Sequence, residues 1–188
     1  PLEDSKVVVA RANQTHVYPS NIMLVGAMNP CPCGYLGDDF HQCTCNANQL
    51  DRYRSKLSGP LMDRIDIFVN VASVKYEELA GDDYEAESSE DILKRVMIAR
   101  HMQEERFKGT DITSNASIPP AMVKQMCQTT KGAQNILEKA FRSMGLSARS
   151  YDKILKVART IADLEQSQLI EEMHMLEAVQ YRNFDRKF

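Results

Sequence analysis

Four of the five cysteines in this chain are crowded into one turn-rich stretch: Cys31, Cys33, Cys43 and Cys45. Four thiolates in one loop can surround a zinc ion tetrahedrally, at about 2.3 Å each. The spacing C-x-C-x9-C-x-C is tighter within each pair than the usual C-x2-C, so a reduced, metal-free loop remains an alternative. His41 lies just before Cys43 and could replace one thiolate. With all four positions filled by protein, such a zinc would be structural, leaving no open place for water. Cys127 stands apart, inside an apolar helical pattern. No charged-then-apolar secretory signal opens the sequence, so a reducing cytoplasm is the expected compartment and a disulfide framework is not the first reading.

Three further residues have types and places suited to chemistry on an anion. Asn29 follows a continuous apolar run, Asn21 to Met28 (NIMLVGAM), that reads as a strand buried on both faces. The carboxyl ends of such strands face the ligand crevice in α/β sheets, and an Asn there can orient a water or sense a phosphate. The plainer reading of Asn29 is a turn-former before Pro30. Arg64, in Leu-Met-Asp-Arg-Ile-Asp, could reach a neighbour's phosphate; an ion pair with Asp63 or Asp66 is the plainer alternative. Arg149 falls in the first turn of a predicted helix, where a cation is poorly matched to the helix dipole. That mismatch hints at an anion to be met, against the alternative of a solvated surface Arg. His16, His101 and His174 are isolated and read as ordinary histidines, and the methionines of the helical half read as core filler. Arg11, Arg52, Arg54 and Lys56 are locally basic, the last three most simply a solvated helix face.

The elements around these residues divide the chain. Lys6 to Ala10 (KVVVA) predicts a strand that returns through Thr15 to Tyr18. Cys31 to Cys45 is a loop, Asn46 to Leu57 a short helix, Leu61 to Arg64 a helical turn, and Ile65 to Val71 (IDIFVNV) a strand. Residues 72 to 88 are acidic and irregular, the best linker. Beyond them everything is helical. One helix runs from Ser88 or Ser89 to near Phe107 and a second from Pro119-Pro120 to about Thr130. A third covers Lys131 to Met144, closed by Gly145; a fourth is capped by Ser147; a fifth covers Ile170 to Tyr181. The expected fold is an α/β part over residues 1–75, a linker over 76–87 and an all-α bundle over 88–188, mainly helical overall.

Composition bounds the rest. The 188 residues are 43% hydrophobic and 26% charged, which excludes general disorder. No run approaches the ~20 apolar residues that span a bilayer, so a membrane protein is not expected. A formal net charge of -3 excludes a uniformly basic nucleic-acid binder and leaves room for a local basic patch.

Three long motifs, in order, resemble one known family. They are Leu24-Val-Gly-Ala-Met-Asn-Pro-Cys-Pro-Cys-Gly-Tyr, Leu57-Ser-Gly-Pro-Leu-Met-Asp-Arg-Ile-Asp, and Gly145-Leu-Ser-Ala-Arg-Ser-Tyr-Asp-Lys-Ile-Leu-Lys-Val-Ala-Arg-Thr-Ile-Ala-Asp-Leu. Together they resemble the magnesium-chelatase-like AAA+ ATPases, in their ComM/YifB branch, over essentially the whole chain. The resemblance implies that residues 1–75 are the C-terminal part of an ATPase core and that 88–188 are its helical lid. It implies that Asn29 is the sensor-1 Asn, Arg64 an arginine finger offered to the adjacent subunit, and Arg149 the sensor-2 Arg that reads the γ-phosphate. The Lys6 to Tyr18 hairpin matches an insert that points toward the pore of related rings. ATP and magnesium are the implied cofactors, ring self-association and DNA the implied partners. A magnesium chelatase subunit driving metal insertion into a tetrapyrrole through a protein partner is the alternative, and a zinc-stapled, non-catalytic binding module the plainest one. One departure is large: no G-x-x-x-x-G-K-[ST] and no strand ending in paired acids precedes Asn29. The chain is therefore expected to be a piece of a longer protein whose phosphate loop lies upstream, and to lack ATP hydrolysis by itself. Asn21 to Met28, without its sheet neighbours, is expected to expose edges that invite self-association.

Overall fold

The computed structural model describes residues 2, 5–12, 14–74 and 87–182. It is mainly helical, with one small sheet among the described residues. The chain forms two compact units, Pro1–Ile65 and Asp66–Phe188.

In the first unit, β-branched residues and a two-residue connection make an antiparallel hairpin of β1 (Lys6–Arg11) and β2 (Gln14–Pro19). Val7 pairs with Tyr18, Val9 with His16 and Arg11 with Gln14. Apart from Val7 both strands are exposed. Residues 21–28 are not the buried strand their composition predicts but the exposed run expected of it without sheet neighbours: among the described residues they carry no ladder, and Met23 and Val25 are 88% and 84% exposed. The reason is that apolar β-branched sequence supplies only one side of a strand. The other side is a hydrogen-bonded neighbour, and the described residues place none there. Ile65 to Val71 likewise forms no strand; a single backbone bond, from Phe68 N–H to the Tyr181 carbonyl (3.0 Å), holds its middle.

The loop 29–45 turns at Gly34 and Gly37, whose φ values of 88° and 81° suit residues without a Cβ. Helix α1 (Ala47–Arg54) starts at once behind it. Asn46 caps it reciprocally: its side chain accepts from Gln49 N–H at 2.9 Å, and Gln49 Oε1 accepts from Asn46 N–H at 2.9 Å. A single turn, α2 (Gly59–Met62), follows the Ser58 cap, with Pro60 where no amide is needed.

The second unit is a helical bundle: α3 (Ser89–Arg106), a 3-10 turn (Asn115–Ser117), α4 (Pro120–Met126), α5 (Lys131–Met144), α6 (Ala148–Leu164) and α7 (Glu172–Gln180). Ser88, Thr130 and Ser147 accept the first-turn amides of α3, α5 and α6, and Gly145 ends α5 in the left-handed conformation, φ 56°. The core gathers Phe107, Ile118, Val123, Leu137, Ile154, Leu155, Ala158, Ile170 and Met175, all buried. Helix α6 is central, packing on α3, the 3-10 turn, α4 and α7. A short parallel bridge ties the approach to α5 to that of α7, through Thr130 N–H to Ile170 O (2.9 Å) and Ile170 N–H to Gln128 O (2.8 Å). Gly132, at the start of α5, lets the Glu172 side chain lie against the backbone there; a Cβ would make that side chain move.

One charged knot lies inside this unit. Asp163, fully buried, accepts from Arg106 through both carboxylate oxygens, from Arg159 Nε at 3.1 Å and from Asn115 Nδ2 at 2.8 Å. Arg159 also donates to the carbonyls of Ser167 and Gln168, so the turn after α6 is held by α6 itself. Residues 66–68 belong to this unit as well: Lys153 Nζ meets Asp66 at 2.7 Å, and the buried Arg182 guanidinium lies 5.5 Å over the Phe68 ring. The expected linker over 76–87 falls, except for Glu87, outside the described residues.

Candidate functional site

The first unit brings the four predicted cysteines together. Cys31 is fully buried and the other three partly so. Their sulfurs lie 3.3 Å (Cys31 to Cys33), 3.7 Å (Cys31 to Cys43) and 3.5 Å (Cys33 to Cys43) apart, and all four lie within 4.8 Å of one another. Sulfurs at the corners of a tetrahedron with ~2.3 Å bonds to its centre lie about 3.8 Å apart, so the donor set fits zinc in number, type and spacing. The loop also supports the charge such a site needs. Backbone N–H groups of Tyr35 and Thr44 donate to Cys33 and hold its thiol down, at about 5. At Cys43 the backbone N–H of Cys45 pulls the same way, but desolvation and the neighbouring sulfurs of Cys33 and Cys31 outweigh it and the thiol is pushed up. Desolvation, then the adjoining sulfurs, push Cys45 up to about 12. Without a cation the cluster therefore ionises only in part; its four sulfurs are placed so that they could hold one metal ion.

His41 is not part of the cluster. Its ring lies 4.8 Å from that of Tyr35, and its Nδ1 is 3.3 Å from Asp38 Oδ1, which also accepts from the backbone N–H groups of Phe40 and His41. His41 and Asp38 thus shape the outer turn of the loop.

Asn29, exposed, precedes the cluster in the same unit, and its backbone carbonyl accepts from the Tyr53 hydroxyl of α1 at 2.9 Å. Arg64 is half-buried just behind α2, with Nη1 donating to the Pro60 carbonyl at 2.8 Å. Arg149 belongs to the other unit, exposed in the first turn of α6. Ser147 Oγ accepts there from Ser150 N–H at 3.2 Å, and the buried Ser150 Oγ accepts from Arg182 Nη2 at 3.1 Å. Spacing gave no sign of Tyr53, which reads as one apolar position of an amphipathic helix. Nor did it reveal Arg182 or the knot at Asp163, since charged residues at helical spacing look solvated until the packing is known. His174 is an ordinary core histidine: buried, with Nδ1 accepting from Glu171 N–H at 3.0 Å and Nε2 donating to Glu165 at 2.8 Å.

Two family models match in tandem. Residues 1–79 match the magnesium chelatase, subunit ChlI, and residues 86–182 match the magnesium chelatase, subunit ChlI C-terminal. The chain thus belongs to the magnesium-chelatase-like AAA+ family, among its ComM/YifB members. YifB of Escherichia coli K12 is 36% identical over 186 residues, 99% of this chain and 36% of that protein. Competence protein ComM of Haemophilus influenzae is 35% identical over 182 residues, 97% of this chain and 35% of its own length. A Mycobacterium bovis relative is 34% identical over 164 residues, 87% of the chain and 32% of that protein. The chain spans about a third of the length of these relatives. No helix among the described residues is long and apolar enough to cross a membrane.

Proposed function

We propose that this chain carries the sensor and lid part of an ATP-driven ring motor that acts on DNA. The observation that supports it most is the match over 97% of the chain to a competence protein, together with the tandem matches to both ChlI-type family models. On this reading residues 1–75 complete an AAA+ core, 76–87 link it to the lid, and 88–188 form the lid. Asn29 orients the attacking water or senses the phosphate, Arg64 reaches the nucleotide of the adjacent subunit, and Arg149 reads the γ-phosphate from the lid. The phosphate loop and the magnesium-holding acids come from sequence outside this chain, so the chain alone does not turn over ATP. Cys31, Cys33, Cys43 and Cys45 hold a zinc ion as a structural staple; with four sulfurs bound it presents no position for water and takes no part in hydrolysis. The protein works in the cytoplasm.

The test is made in the longer polypeptide that includes the phosphate loop. Arg64→Ala is expected to lower ATP turnover by ~10³-fold or more, as loss of an arginine finger does, and mixing with Arg149→Ala subunits to restore part of it. An unchanged rate in Arg64→Ala would remove the finger. DNA-stimulated turnover supports the motor on DNA. Stimulation by a tetrapyrrole-bearing protein partner instead would favour the chelatase reading, which the ChlI family name keeps in view.

A further inference from the structure

The cysteine cluster and Asn29 are joined twice. The first connection is the chain itself: Asn29 is followed by Pro30, which confines Asn29 to extended backbone, and then by Cys31, the fully buried member of the cluster. A turn bond from Gly34 N–H to the Cys31 carbonyl (3.0 Å) stiffens that end. The second connection runs the other way round. Cys45 is followed directly by Asn46, whose reciprocal cap with Gln49 fixes where α1 begins. Two turns along α1, Tyr53 returns its hydroxyl to the Asn29 carbonyl at 2.9 Å. Cluster, cap, helix and hydroxyl therefore make a closed path that begins and ends at Asn29.

We propose that this closed path makes the four-cysteine cluster a positioning device for Asn29, with Tyr53 as its second anchor, so that metal at the cysteines sets how firmly Asn29 is held. The inference rests on the reading of Asn29 as the residue that meets the nucleotide. The cluster holds Asn29 through the chain that joins it, by way of Pro30, to buried Cys31, and Tyr53 holds its carbonyl from α1. Tyr53 does not touch a substrate on this account; it is a positioning residue.

The experiment uses the chain labelled with 15N, reduced and loaded with one equivalent of zinc, with metal content measured on the same sample. The backbone order parameter of Asn29 is compared in three samples: the loaded chain, the chain stripped by a chelator, and loaded Tyr53→Phe. Rigid backbone gives about 0.85 and flexible backbone below about 0.6. The loaded chain is expected near the first value and the stripped chain near the second. Tyr53→Phe is expected to keep one zinc and a rigid Leu50 in α1 while Asn29 loosens, an outcome that general unfolding does not produce. Failure to bind zinc, or an Asn29 order parameter unmoved by both stripping and Tyr53→Phe, overturns the proposal. In the longer polypeptide, Tyr53→Phe should lower kcat about five-fold, the effect of one net hydrogen bond, with KM little changed. If Asn29→Ala leaves turnover untouched, the sensor reading falls, while the order parameters still decide whether the path holds Asn29.

Discussion

At the scale of single residues, the ionisable groups sort into those placed so that they could take a partner from outside and those that already have one. The cysteines are the first kind. Cys33 is held low, at about 5, while Cys45 is pushed up to about 12, so metal binding at neutral pH must displace thiol protons. The sign is fixed: zinc affinity rises with pH. Competition against a chromophoric chelator at two pH values either side of neutrality should show it, and Cys43→Ser should bind weaker at both. Asp163 is the second kind. Asp163→Ala strands Arg106 and Arg159 without their shared carboxylate, and the expected cost is ~3–5 kcal/mol, measured by urea unfolding. The two kinds differ in legibility. Four cysteines in one loop declare themselves by type and spacing. Asp163 and Arg159, an i,i+4 pair on α6, look like a surface ion pair in sequence and turn out, like Arg182, to be almost fully buried.

At the scale of elements, local signals were decisive wherever an element closes on itself. Lys131–Met144 forms over the residues expected from its Thr130 cap and Gly145, and α6 starts at its Ser147 cap. Helix α3 also begins where Ser88 places it. There the Ser88 hydroxyl, and after it Lys94, holds the Asp91 carboxyl below its usual range. A lowered carboxylate contributes stability that is present above its unfolded value and is lost as pH falls through the folded one. Helicity of α3 should therefore persist through mildly acidic pH and fall only below the ordinary carboxylate range. Ser88→Ala should shift that loss upward and cost about 1 kcal/mol, read by circular dichroism and carboxyl titration. Strands do not close on themselves. NIMLVGAM has the composition of a buried strand and no ladder, because the partner is not a property of its own sequence. The same limit hid Tyr53, whose importance is a contact across 24 positions rather than a spacing.

At the scale of the whole molecule, the two units have different sources of order. The second is built around a packed apolar core and a neutralised charge knot. Among its described residues the first has one buried hydrophobic residue, Cys31, and its hairpin is almost fully exposed. Small units with so little burial need a staple. Chelation is therefore expected to abolish the structure of the first unit while leaving the unfolding midpoint of the second unchanged within error, followed by hydrogen exchange of α1 and of α6 in one sample. Concerted loss of both would contradict it. The helical character of the second unit was legible in its apolar spacing and caps, while the first unit shows a single two-stranded hairpin among its described residues. The sequence could not show which residues of the first part are buried, since among those described Cys31 is the buried hydrophobic one.

The fifth cysteine carries a consequence of its own. Cys127 is 3% exposed at the end of α4, and burial pushes its thiol up to about 11. In the closed bundle it is both unreachable and unionised, so an alkylating reagent meets it only when the bundle opens. The rate at which the Cys127 peptide gains mass is thus a built-in clock for excursions of the helical unit. It needs no added dye or engineered residue, and it reports in the same spectrum in which the other four thiols show whether their metal is in place.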